Sequence, residues 1–311
     1  MIESSDIKSY VYLAMAQCII GANIVLAKIL LPVIPVYLLL TLRFFVGSLI
    51  LSVVCYFMKV HPTRYEDSQK PISSFDWLVL LAQALCAGFL FNTFILSGLN
   101  YTDASTAGII TSITPAAIAV LSYFIIKEKL GPKRIAAIIL AVLGLIVISV
   151  GKGGEANTER ALLGDFLVLV AVFPEALFTV IAKWHKANIN SFAIALAINL
   201  LNFIFFIPLS ISSITYLKPL HFSHIALVIL YGLMGGLFFV FWYKGLEKNS
   251  ASVAALFTAL MPISASVLAF LVLGENISLY DMVGMVLVIL SIVFGAANLK
   301  VLGFRGFLLN D

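Results

Sequence analysis

The chain has 311 residues, 62% of them hydrophobic and 11% charged, with a formal net charge of +4 and a mean hydropathy of +1.11. No soluble globular domain has that composition. Nearly all of the length falls into apolar runs of the roughly 20 residues that cross a hydrocarbon core, which leaves no room for catalysis outside a membrane or for nucleic-acid binding.

In chain order the runs lie at about 8 to 30, 36 to 58, 76 to 99, 103 to 126, 132 to 150, 161 to 183, 190 to 212, 222 to 245, 250 to 273 and 278 to 299. Ten spans follow, and the expected fold is an all-α polytopic membrane protein. Membrane β-strands are excluded, because they need alternating segments of ~10 residues and these runs are twice as long and apolar on all sides. The acidic opening, Met-Ile-Glu-Ser-Ser-Asp, and the length of the first run read as a retained helix instead of a cleaved signal peptide.

Orientation follows from Lys and Arg, which concentrate in short cytoplasmic loops. With the N-terminus inside, 14 of the 19 basic residues fall on the cytoplasmic side and 4 outside, with Arg43 inside a span. Both termini are therefore expected in the cytoplasm, in a multi-pass protein of the cell (inner) membrane. The three cysteines and four histidines share no metal-ligand spacing, so no metal and no cofactor is expected.

The chain repeats itself. "GLNYTDASTAGIITSITP" (98 to 115) aligns with "GLEKNSASVAALFTALMP" (245 to 262) at a constant offset of 147, pairing Gly98 with Gly245, Ser105 with Ser252, Thr111 with Thr258 and Pro115 with Pro262. The register continues through Glu128 to Glu275, both expected to be solvated and to cap the helix that follows, and Ala27-Lys28 answers Ala182-Lys183 at an offset of 155. Residues 1–150 and 161–311 thus read as two five-helix units joined by a linker, 151–160, on the outer face. Because five is odd, the second unit enters the membrane from the opposite side. Such inverted repeats recur in secondary transporters with a site near the midplane, where exchanging the conformations of the two halves alternates access to a central cavity.

The pattern G-L-x(5)-A-S…P…E in the fourth and ninth helices, Lys28 closing the first, Arg43-Phe44 in the second and ten spans in two halves resemble the drug/metabolite transporter superfamily, EamA-like branch. The resemblance implies a basket of ten helices around a central cavity that carries amino acids or other small metabolites, often outward. Two features depart from the family pattern. Arg43 has no basic counterpart in the second half, where the equivalent region reads Ala197-Ile198-Asn199, and Glu175 stands where an apolar or aromatic residue is usual.

Pro115 and Pro262 lie near the centres of their spans and each frees the carbonyl four residues back, at Thr111 and Thr258. These four residues are expected to kink or gate the helices. Gln17, Asn23, Gln83, Asn92, Asn199 and Asn202 need partners inside the protein, since lipid offers none. Asn23, Asn92 and Asn199 are taken as candidates for the pathway. In "FFVFWY" (238 to 243), Trp242 and Tyr243 read as interfacial anchors and Phe241 as a cavity residue. Phe178 is assigned to the cavity with Glu175. Glu175 lies ~5 Å to the cytoplasmic side of the midplane and Arg43 ~6 Å to the outer side. An ionised acid there must face the bundle interior or a wet cavity, pair with a cation or stay protonated.

The expected function is secondary transport of a small polar or amphipathic solute across the cytoplasmic membrane, with Glu175 taking a substrate ammonium or a coupling proton. Proton-coupled uptake or exchange of a nucleotide-like or cationic metabolite is the alternative. A membrane enzyme is disfavoured by the absence of catalytic motifs, and a scaffold by the repeat. The expected partners are the solute and the lipid bilayer; oligomeric state is not legible.

Overall fold

A computed structural model describes residues 4–99, 101, 107, 110–151, 161–185, 187–217, 221–274 and 276–296. It is helical throughout, with no named strand among the described residues and one isolated bridge between Arg64 and Pro71. The helices are α1 (Ser4–Leu30), α2 (Val36–Phe57), α3 (Ser74–Leu99), α4 (Thr114–Ile126), α5 (Pro132–Gly151), α6 (Ala161–Trp184), α7 (Ser191–Ser210), α8 (Phe222–Lys248), α9 (Ala251–Leu273) and α10 (Leu279–Ala296). Eight are long and apolar enough to cross a membrane, and α4 and α10 are shorter apolar helices. The fold is a polytopic all-α membrane protein of ten helices in two five-helix repeats. The linker expected at 151–160 and the tail beyond Ala296 lie almost wholly outside the described residues.

Three helices depart from regular α geometry. In α3, Leu85–Leu90 forms a π-helical turn, and the Asn92 amide donates to the Gly88 carbonyl at 2.5 Å. Such turns are uncommon and gather at functional positions. The fourth span breaks at Ser112 and Ile113, and α9 breaks at Ala259. The offset of 147 aligns Ser112 with Ala259, so the two breaks are equivalent. In each, the helix resumes just before its proline: Pro115 stands in the first turn of α4 and Pro262 is the third residue after the α9 break. A first-turn proline removes no intrahelical hydrogen bond, because the leading N–H groups have no partner in any case. The prolines therefore start new segments instead of kinking continuous helices.

The packing exchanges the first helix of each repeat. Helix α1 lies against α8 and α9 of the second repeat, while α6 lies against α3 and α4 of the first. The pairs α2–α7 and α5–α10 also cross between repeats. In α5–α10 the backbones nearly touch: a Cβ on Gly144 would sit 2.9 Å from the Gly284 carbonyl oxygen. Close approach at small residues is how membrane helices associate where no hydrophobic force distinguishes protein from lipid.

Candidate functional site

Two adjoining cavities occupy the middle of the bundle, and Phe91, Glu175, Thr258 and Met261 line both. The first, of about 230 Å³, is walled by Thr111, Ser112, Thr114 and Pro115 of the first repeat, by Ile148 and Ser149 of α5, and by Pro262. The second, of about 100 Å³, is lined by Gln17, Arg43, Phe44, Asn92, Phe178, Phe238, Phe239 and Trp242. Both repeats contribute to each.

Glu175 sits where the cavities meet. It follows Pro174 within α6 and is partly buried. Its one hydrogen-bond partner among the described residues is the Thr114 hydroxyl, which donates to Oε2 at 3.3 Å from the start of α4. The offset of 155 sets Ile20 of α1 at the equivalent place, and Ile20 also lines the second cavity. One wall is thus acidic and its symmetry mate apolar.

Arg43 lines the same second cavity without pairing with Glu175; no described carboxylate forms an ion pair with it. It is 7% exposed. Its guanidinium carbon lies 5.2 Å from the Phe44 ring centroid and 5.4 Å from that of Tyr231. Gly235 of α8 makes room for it: a Cβ there would meet Nε at 2.6 Å.

The remaining candidates separate. Asn92 and Phe178 line the second cavity, and Thr111, Pro115, Thr258 and Pro262 the first. The Thr111 and Thr258 hydroxyls donate backward, to Ala107 at 2.9 Å and Ala255 at 2.7 Å, tightening the turns before the breaks. Asn23 is buried and lines neither cavity. Asn199 is fully buried, donates to the Ala195 carbonyl at 2.7 Å and packs its amide oxygen towards Gly47, away from both cavities. Phe241 stacks on Tyr12 at 5.9 Å outside them. Trp242 and Tyr243 are buried at 1% and 8% exposure, so neither is an interfacial anchor. Trp242 lines the second cavity, and the Tyr243 hydroxyl donates to Gln83 Oε1. Phe238, Phe239 and Trp242 were not singled out as cavity residues from sequence; their spacing of one and four, which shares one helix face, is the signal that would have found them.

The face that carries the N-terminus is closed by contacts between repeats. Glu128 is not solvated and does not cap the next helix. Its carboxylate accepts from the Ser252 backbone N–H at 3.3 Å and from the Ser252 hydroxyl, at the N-terminus of α9, where helix geometry favours an anion. Arg134 donates to both Glu128 and Ser252 at 3.2 Å. Asp76 at the start of α3 meets His185 beyond α6 at 2.6 Å, and Glu66 accepts from Asn190 at 3.1 Å. Glu275 and Ser105, the sequence counterparts of Glu128 and Ser252, lie outside the described residues.

Comparison with known proteins decides the family. Residues 7–150 and again 162–295 match the EamA-like transporter family. The chain belongs to that family. It is 35% identical over 287 residues to the uncharacterized transporter YetK of Bacillus subtilis (strain 168), covering 90% of this chain and 84% of that one. An uncharacterized transporter of Archaeoglobus fulgidus is 25% identical over 300 residues, covering 94% and 98%. A crystal structure 17% identical in sequence superposes with a TM-score of 0.74 over 91% of this chain and 94% of its own, which is a likeness of fold. This EamA-family chain is a multi-pass membrane transporter, not an enzyme.

Proposed function

We propose that this EamA-family transporter moves a small polar or amphipathic metabolite across the cytoplasmic membrane by alternating access, exporting it, with both termini in the cytoplasm. The observation that carries the reading is the pair of adjoining cavities walled by both repeats, with a carboxylate at their junction and helix breaks at equivalent positions on either side. Ionisable groups inside a membrane bundle are expensive and mark solute or ion pathways. The direction rests on the family resemblance, and the sidedness on the bias of basic residues.

Glu175 is the residue on which movement turns. With a single hydroxyl for company, it takes up and releases either a proton or a cationic group as access alternates. Proton coupling is thereby supported alongside uncoupled export.

The test is solute flux with purified protein in proteoliposomes, screened against a metabolite mixture at two external pH values. Flux above protein-free vesicles supports the reading, and none from correctly inserted protein overturns it. Cysteines at Gln69 and Asn157, in a cysteine-free background, should label from opposite sides of intact cells, Asn157 from outside. Labelling of both from one side would rule out the inverted arrangement.

A further inference from the structure

Arg43 has an unmet need. Taking a guanidinium out of water costs several kcal/mol even after relaxation and water penetration. The side chain is buried at 7% exposure, its Nε has no hydrogen-bond partner among the described residues, and its guanidinium lies near the rings of Phe44 and Tyr231. Cation–π contacts return about 0.5 to 2 kcal/mol each, which leaves a shortfall that an anion would close. The described residues do not supply one: Glu175 lines the same cavity yet forms no ion pair with Arg43, and bonds to Thr114 instead.

We propose that Arg43 is the anion anchor of the transport site, and that the solute is a monocarboxylate with an apolar or aromatic body. This rests on the transporter reading and adds the class of solute. A guanidinium presents parallel N–H donors that match the two oxygens of a carboxylate. Among the described residues no second cation lines either cavity, so one negative charge is balanced and the two of a phosphate monoester are not. The cavity that Arg43 lines is walled in part by aromatic rings, Phe44, Phe178, Phe238, Phe239 and Trp242. Such a wall takes up an apolar body while a few polar groups fix its orientation.

Gly235 holds the anchor in place. It lets the Arg43 side chain lie along α8, and a methyl group there would displace the flexible guanidinium without removing its charge.

The experiment uses the full chain, as detergent-solubilised protein for thermal shifts and as proteoliposomes for counterflow. The probes are 3-phenylpropionate, phenylalanine, phenylalaninamide and phenethylamine, which share one apolar body and differ in the carboxylate and the ammonium. The two compounds with a free carboxylate should raise Tm and exchange at least about tenfold better than the two without, a difference of about 1.4 kcal/mol. Arg43→Gln should abolish that preference, and Arg43→Lys should restore part of it. Gly235→Ala should weaken both carboxylates about threefold or more while keeping their order. Equal handling of the amide and the acids by wild-type protein, or an intact carboxylate preference in a folded Arg43→Gln, overturns the proposal. A Tm rise with carboxylates but no flux of any solute supports the anchor and overturns the transport reading. Flux confined to solutes without an anionic group does the reverse.

Discussion

The two halves of α9 are both apolar and live in different surroundings. From Ala251 through Phe257 every residue is buried, whereas none from Leu260 to Leu273 is. Hydrophobicity does not separate them; neighbours do. The first half is wedged among α1, α4, α5 and α10, and its N-terminus is held by Glu128 and Arg134. The second half rests on α1 and turns its other sides to the first cavity and the lipid. Helix α9 is therefore tightly packed towards the face that carries the N-terminus and loosely packed towards the other, and Ala259 divides the two regimes. Glu175 lies beside that division, since Thr258 and Met261 share its cavities.

If the division is where solute is held, the largest effect is expected at the acid. Glu175→Gln should fold and insert, with Tm near wild type, yet lose flux by about tenfold or more, or lose its pH dependence if a proton is coupled. Wild-type flux with an unchanged pH profile would reduce Glu175 to a partner of Thr114. Next comes the contrast in packing. Ala255→Phe in the tight half should cost about 1 to 3 kcal/mol, seen as a lower Tm in detergent, because a filled core has no room for a ring. Val267→Phe, on the exposed side of the slack half, should stay within about 0.5 kcal/mol. Equal costs would erase the distinction.

Smaller effects are expected at the breaks. Pro115→Ala and Pro262→Ala should leave the protein folded and slow flux about two- to fivefold, by joining segments that move separately. Unchanged rates in both would make the prolines packing features. The smallest shift concerns the closed face. Charge-assisted hydrogen bonds are roughly twice as strong as neutral ones, so Glu128→Gln should loosen the hold on Ser252. In a cysteine-free background with Phe257→Cys, a charged thiol reagent applied from the N-terminal face should then react about threefold faster. No change would place the closure elsewhere, for instance at Asp76 and His185.

The helices were legible because lipid forces their length. Nine of the ten expected spans coincide with helices to within a few residues, the fourth, expected from 103, has its described helix from Thr114 only, and both breaks fall beside the prolines that sequence had marked. The site was harder to read, because in a chain apolar on every side nothing reports which way a helix turns. In α8 the rings at 238, 239 and 242 share a face, while Phe241 points to Tyr12; sequence weighed Phe241 by its depth alone. Asn199 misled for another reason. An amide that bonds the carbonyl four residues back needs no partner elsewhere, and no sequence pattern separates it from an amide such as Asn92 that borders a cavity. Glu128 was read as solvated because its binding partner sits 124 residues away, in the other repeat.

The exchange of first helices sets a schedule for synthesis. Helix α1 ends at Leu30 and its main neighbour α8 begins at Phe222, roughly 190 residues later. At a ribosomal rate of about 5 to 20 residues per second, α1 waits on the order of 10 to 40 seconds in the bilayer before the helix it belongs against is made. Through that interval Gln17 and Asn23 stand in lipid without their final surroundings, so the nascent first half is the form of this protein most in need of an insertase or chaperone to shelter it.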